Sequence, residues 1–149
     1  MNGYACAFDT FHGYGAAGRT VNSAVYASVG VITTASSGDE IKVAGATILV
    51  RLSFSMKNNT AVDTTMAIRV RDTTAATTVW ERSAIGTGDT AGYLVTTSAG
   101  LAWVPGPYVE FRVAVPAIGT RQYTVEMSCP TGNPYRVRDL TVAFVGTVA

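Results

Sequence analysis

Three glutamates, Glu81, Glu110 and Glu126, lie in runs of alternating residues. A carboxylate pair drawn from distant strands is the arrangement that cleaves glycosidic bonds. Each of the three holds the polar parity of its run, which predicts a solvated charge and not a catalytic acid. Gly13-Tyr14-Gly15-Ala16-Ala17-Gly18 fits the glycine fingerprint of a dinucleotide site, with Asp39 and Glu40 about twenty residues further on. That chemistry needs a helix opening at the glycines, so that its amides meet a pyrophosphate. The run that follows, Arg19 to Tyr26, is β-prone, so a Gly/Ala loop is expected and no nucleotide cofactor. His12 is the sole histidine and no GxSxG elbow is present, so nothing marks a serine as an activated nucleophile. One histidine cannot complete a zinc site with Cys6 and Cys129, and no oxygen-rich calcium loop occurs. No metal, cofactor or catalytic residue is therefore assigned. The two cysteines read as reduced thiols, or as a disulfide tying the start of the chain to a late strand. Asn58-Asn59-Thr60 is a formal glycosylation sequon, meaningful only in an exported chain.

Residues suited to binding stand out more than residues suited to catalysis. Arg69-Val70-Arg71-Asp72 recurs as Arg136-Val137-Arg138-Asp139. Either these four arginines, Arg69, Arg71, Arg136 and Arg138, cover an exposed strand face, or they meet neighbouring subunits or a partner carboxylate, which guanidinium groups suit. Tyr4, Phe8, Phe11 and Tyr14 form an aromatic set near the start of the chain. They either cap the end of the fold or anchor a contact with another subunit. Trp103 and Tyr108, beside Pro105 and Pro107, either plug the core or present rings to a partner.

Extended chain must position all of these. From Thr47 to Lys57, Ile48, Val50, Leu52, Phe54 and Met56 point one way and Arg51, Ser53, Ser55 and Lys57 the other. Such alternation is a strand with one dry and one wet face. Residues 66–71, 109–115 and 123–129 repeat it, and less regular strands cover roughly 21–31, 77–83 and 92–97. Val137 is odd whereas Leu140, Val142 and Phe144 are even, which predicts a β-bulge near Arg138-Asp139, or else two short strands. Turn signals separate the runs, Pro105-Gly106-Pro107 and Pro130-Thr131-Gly132-Asn133-Pro134 among them. The rhythm predicts an all-β sandwich or small barrel at residues 20–149, preceded by an irregular arm at 1–19. Hydrophobic residues at 48%, charged residues at 14% and a net charge of +1 support one buried core and argue against nucleic acid as a partner. No run approaches a membrane span and no signal peptide is read at the start, so synthesis in the cytoplasm without export is expected.

The succession Asp39-Glu40-Ile41, Ile48–Met56, Met66–Arg71 and Asp72–Glu81, closed by Gly119-Thr120-Arg121-Gln122-Tyr123-Thr124-Val125-Glu126 and Val137-Arg138-Asp139-Leu140-Thr141-Val142, resembles a known family. It is similar to the tumour-necrosis-factor-like jelly rolls of tailed-phage structural proteins, head decoration proteins among them, over roughly residues 38–149. The resemblance implies a jelly-roll β-sandwich of about eight antiparallel strands with an irregular N-terminal arm. It further implies a homotrimer on the virion surface, contacting the major capsid protein as a decoration or cement protein without enzymatic activity. The N-terminal arm has no counterpart in the family pattern. The alternative is a receptor- or carbohydrate-binding module of a phage fibre or tail, with a glycan stacked on Trp103 and Tyr108.

Overall fold

In a computed structural model of the chain, which describes residues 9–13, 18–34, 47–83, 88, 90–96, 102–114 and 121–146, the alternating runs become strands. They are β1 (Asp9–Gly13), β2 (Arg19–Val21), β3 (Ala27–Thr34), β4 (Thr47–Asn58), β5 (Thr64–Asp72) and β6 (Thr77–Arg82), then β7 (Tyr93–Val95), β8 (Val104–Pro105), β9 (Val109–Ala114), β10 (Arg121–Ser128) and β11 (Tyr135–Gly146). One sheet runs β1-β11-β4-β8, with β2 also on β11 and β9 also on β4. The second runs β3-β10-β5-β6, with β7 also on β5. Every pairing is antiparallel.

The eleven strands occupy eight positions, because three long strands are each flanked on one edge by two short ones. β2 meets β11 at Tyr135–Val137 and β1 meets it at Leu140–Phe144. β8 and β9 divide the edge of β4 in the same way, as β7 and β6 divide the edge of β5. Partners then nest: β1/β2 with β11, β3 with β10, β4 with β9, β5 with β6. This is one long hairpin folded across itself into two four-position layers, the jelly-roll order.

Inward residues of both sheets fill the space between the layers. Leu52, Met66, Ile68, Met127, Tyr135, Leu140 and Val142 are completely buried. Removing one such aliphatic side chain from water stabilises the fold by about 2 kcal/mol. At the open seam between β6 and β9, Trp80 and Phe111 stack with centroids 4.8 Å apart and rings 6° from parallel, joining the two sheets there. Tyr135 is buried with its hydroxyl donating to the Ser128 carbonyl at 2.8 Å. Burial pushes that phenol far above its ordinary range.

The bulge expected near Arg138-Asp139 is present. Arg138 opposes Ser55 and Thr141 opposes Ser53, so β11 spends one extra residue there, and Asp139 takes a φ of +52°. Leu140 and Val142 thereby rejoin the face of Val137, and all three are buried. The arm departs from expectation. Residues 9–13, read as irregular, form an edge strand in register with β11 from Asp9↔Phe144 to Gly13↔Leu140. No period could be read in five residues whose partner lies at the other end of the chain. The strand expected at 21–31 is two strands, β2 and β3, joined by a loop at residues 22–26. The Pro105-Gly106-Pro107 turn signal overlaps β8, a two-residue bridge to β4.

The β5–β6 hairpin begins at Asp72, whose buried carboxylate accepts the Ala75 amide at 3.0 Å. Ala76 closes it at φ +56°, a left-handed conformation that costs a side-chain-bearing residue roughly 1 kcal/mol or more. Ala76→Gly is expected to raise the unfolding free energy by about 0.5 kcal/mol, because part of that relief is offset by the freer unfolded chain. Urea denaturation of the two proteins measures it.

Candidate interaction faces

Each sheet has an outer face, and alternation determines what it shows. On the second sheet, Glu126, Arg69 and Glu81 stand side by side across β10, β5 and β6. Arg69 Nε donates to Glu126 Oε2. The loop at residues 22–26 folds back over this row, held where the Cys129 amide donates to the Ser23 carbonyl at 2.8 Å. Tyr26 then lies over Arg69, guanidinium carbon 4.0 Å from the ring centre, and donates its hydroxyl to Glu81 at 2.9 Å. Glu126 was expected to be solvated; its side chain is only 16% exposed, because the ion pair and the loop cover it. With Arg69 between the two glutamates and Tyr26 on top, the row locks a loop in place.

Partial burial, then the hydrogen bond to Glu81, push the Tyr26 phenol from 10.0 up to about 12. Between those values the unfolded chain loses this proton while the folded chain keeps it, so stability falls as pH rises through that window. In an ultraviolet titration, Tyr26→Phe should remove one tyrosinate from the step near pH 12 and leave the step near pH 10 unchanged.

The first sheet's outer face is different. Arg51, Ser53, Ser55 and Lys57 come from β4, Glu110 and Arg112 from β9, and Arg136 and Arg138 from β11 before the bulge. Arg51 Nε donates to Glu110 Oε2 at 3.1 Å, and Tyr108 donates its hydroxyl to the same oxygen at 2.8 Å. The Tyr108 hydrogen bond, then Arg51, hold the Glu110 carboxyl below its ordinary value, and the same bond raises the Tyr108 phenol. Lys57 and Arg136 are direct partners across β4 and β11. Arg138 lies over Trp103, 4.5 Å from the ring centre, and its Nε is 3.4 Å from the Asp139 carboxylate. Gly18, at φ +67°, lets Trp103 approach the β11 edge: a Cβ there would stand 2.6 Å from the ring and 2.9 Å from the Val137 carbonyl oxygen.

The residues singled out for interfaces therefore divide. Arg69 is engaged by Glu126 and Tyr26, and Arg71 Nη2 donates to the Ala76 carbonyl at 3.1 Å. Trp103, read as a core plug or a ring presented to a partner, is half-buried against Arg138 on the first sheet's outer side. Tyr108 is 64% exposed and is no core plug either. Phe11 lies on β1, opposite Val142, with its side chain outside the described residues. Tyr4, Phe8 and Tyr14 also lie outside them, as does Cys6. Cys129 is a buried free cysteine whose thiol burial pushes up. The glycine fingerprint falls between β1 and β2, with Gly13 in a strand and another strand opening straight after Gly18.

The sequon has a structural role that its motif did not announce. Asn58 is 2% exposed, its Nδ2 donating to the carbonyls of Val62 at 2.8 Å and Val95 at 2.9 Å, while its Oδ1 accepts the Thr60 amide at 2.7 Å. The Asn58 side chain accepting the backbone amide two residues on is an Asx turn, in keeping with the turn-prone Asn58-Asn59 pair.

No protein-family model matches the chain, and no curated protein does. Among solved structures, the chain is similar to the VP2 protein of infectious bursal disease virus, a D431N mutant in derived T=1 particles. The TM-score is 0.35 at 15% identity, covering 98% of this chain and 31% of that one. The chain thus spans about a third of that protein's length.

Proposed function

We propose that the protein is a virion structural protein, a homotrimeric decoration or cement protein on a phage head. The observation that carries this reading is the nested pairing of β1/β2 with β11, β3 with β10, β4 with β9 and β5 with β6. That jelly-roll order serves viral capsid domains and lectins alike. Fold alone does not choose between them; the closing residues 119–126 and 137–142, which resemble head decoration proteins, favour the virion role. The lectin-like alternative gains less support, because Arg138 already lies over Trp103 and Tyr108 is tied to Glu110. The mechanism is mechanical: three-fold symmetry buries one patch of each subunit against a different, complementary patch of the next, and aromatic residues near the start of the chain grip a neighbour or the shell.

β1 determines where the test should cut. Deleting residues 1–15 would strip an edge strand from β11, whereas deleting 1–8 leaves β1 whole. The shortened protein is expected to fold and to elute, by light scattering, at three times its own chain mass, while its occupancy on purified particles is lost. Full occupancy would remove the gripping role from Tyr4 and Phe8. A strict monomer never found on particles would overturn the whole reading.

A further inference from the structure

We infer that the open edge of β9 pairs with the same strand of a second copy of this chain, antiparallel and about a two-fold axis at Phe111. Among the described strands β9 pairs with β4 alone, which leaves its other edge unmatched from Val109 to Ala114. Edge strands are often blunted by brevity, a proline, a bulge or an inward-pointing charge. The other outer strands show such devices: β3 and β6 are bulged at Val29 and Val79, β8 contains Pro105, and β2 and β7 have three residues each. β1 lies against β3. β9 has none of these protections. Its six residues run against β4 in one unbroken register, and its inward set is Val109, Phe111 and Val113.

The order of residues along β9 selects a second copy as the occupant. Val109-Glu110-Phe111-Arg112-Val113 is symmetric about Phe111 in its apolar positions and opposite in sign at its charged ones. In an antiparallel pair centred there, Val109 falls opposite Val113, Phe111 opposite Phe111, and each Glu110 opposite an Arg112. Opposite charges so placed stabilise a sheet and like charges oppose it. Sliding the strands by two residues sets Glu110 against Glu110 or Arg112 against Arg112, so charge selects a single register. Glu110 is already oriented for the contact: Arg51 and Tyr108 bind its Oε2, and among the described residues its Oε1 accepts no bond. Arg112 is exposed and forms no ion pair among those residues. One step past the strand, Tyr108, 64% exposed, falls opposite the small exposed Ala114 of the second copy. Trp80 and Phe111, stacked at the seam, bring aromatic rings from both copies to the axis, where an interface gains most.

The contact is small. Two strands of this length bury well under the roughly 1,000 Å² of a stable interface, so the pairing should dissociate on dilution. It doubles whichever species the dilute protein forms, one chain or three, and so does not depend on the three-fold reading. On a shell it would join neighbouring trimers across two-fold axes; that consequence alone rests on head decoration.

Sedimentation equilibrium of the full chain, from dilute protein to about 1 mM at low ionic strength, tests the pairing. The mass is expected to rise toward twice its dilute value, and the β9 amides to exchange more slowly in the concentrated sample. Glu110→Arg and Arg112→Glu each set like charges opposite one another, and either alone should weaken doubling by about tenfold or more. An equimolar mixture of the two variants should regain it, because each then meets charges opposite to its own. Loss of fold, or of the Arg51 bond, cannot produce that recovery. Circular dichroism checks both variants, and if either unfolds, the exchange of β9 in the wild-type protein decides alone. A constant wild-type mass, doubling without slower exchange at β9, or a mixture that associates no better than its components overturns the inference.

Discussion

Asn58→Ala should lower the unfolding free energy by about 2–3 kcal/mol, because it strands the buried Val95 carbonyl and removes part-buried bonds to the Val62 carbonyl and the Thr60 amide. The Asn58 amide donates to the carbonyls of Val62 and Val95 and its oxygen accepts the Thr60 amide, so one side chain ties the end of β4 to the next loop and to β7. Alanine supplies none of these bonds, and the position is too enclosed for water to replace them freely. Asn58→Asp keeps the acceptor for Thr60 and loses both donors, so it should destabilise as well, with an added cost for a buried charge. Urea denaturation monitored by Trp fluorescence gives both values, and an unchanged dependence on denaturant would show that only the folded state was affected. A loss under 1 kcal/mol for Asn58→Ala would mean the three groups find other partners. The same burial closes the sequon: with both amide hydrogens engaged, Asn58 presents no acceptor nitrogen in the folded chain.

Gly106→Ala is the second large effect, with an expected cost of about 3 kcal/mol. The Gly106 amide donates to the Phe54 carbonyl at 2.7 Å, which brings the two backbones together just past β8. A Cβ on Gly106 would stand 2.5 Å from the Phe54 ring and 2.8 Å from the Phe54 carbonyl oxygen. The ring is 5% exposed and packed in the core, and the oxygen is main chain, so neither can move away cheaply. The chain at β8 should instead lift from β4, releasing the pairs Ser55↔Pro105 and Met56↔Val104. Hydrogen exchange would detect this as faster exchange at Gly106 together with the loss of stability. Adding Phe54→Leu relieves the ring and not the oxygen, so the double variant should stay destabilised. Full recovery in that variant would show that the ring alone sets the constraint.

The strands that carry β4, β5, β9 and β10 were readable because each alternates over at least five residues, and period-two alternation directly encodes a two-faced sheet. The bulge was readable for the same reason: a parity break between Val137 and Leu140 has few physical solutions. β1 and β8 were not readable, since strands of five and two residues are set by their partners on β11 and β4 and not by their own pattern. Among the candidate contacts, the outward parity of Arg51, Lys57, Arg112, Arg136 and Arg138 was on the page, yet their common face depends on β9, β4 and β11 being neighbours. Sequence spacing says nothing about that adjacency. Tyr26 shows the same limit from the other side, since Glu81 lies 55 residues away.

Among the described strands β1 pairs with β11 and β3 with β10, so these early strands wait for late ones before they find partners. β5 and β6 are, among the described residues, the consecutive strands that pair with each other, so assembly should spread outward from residues 64–82 and finish with β1 on β11. Until β10 and β11 have emerged, β3 lacks its pairing strand and β4 keeps one edge open, and nascent chains are at their stickiest during that interval. Slower translation late in the message, or co-expression of a chaperone that shields unpaired strands, should therefore alter soluble yield more than any change that merely stabilises the finished fold.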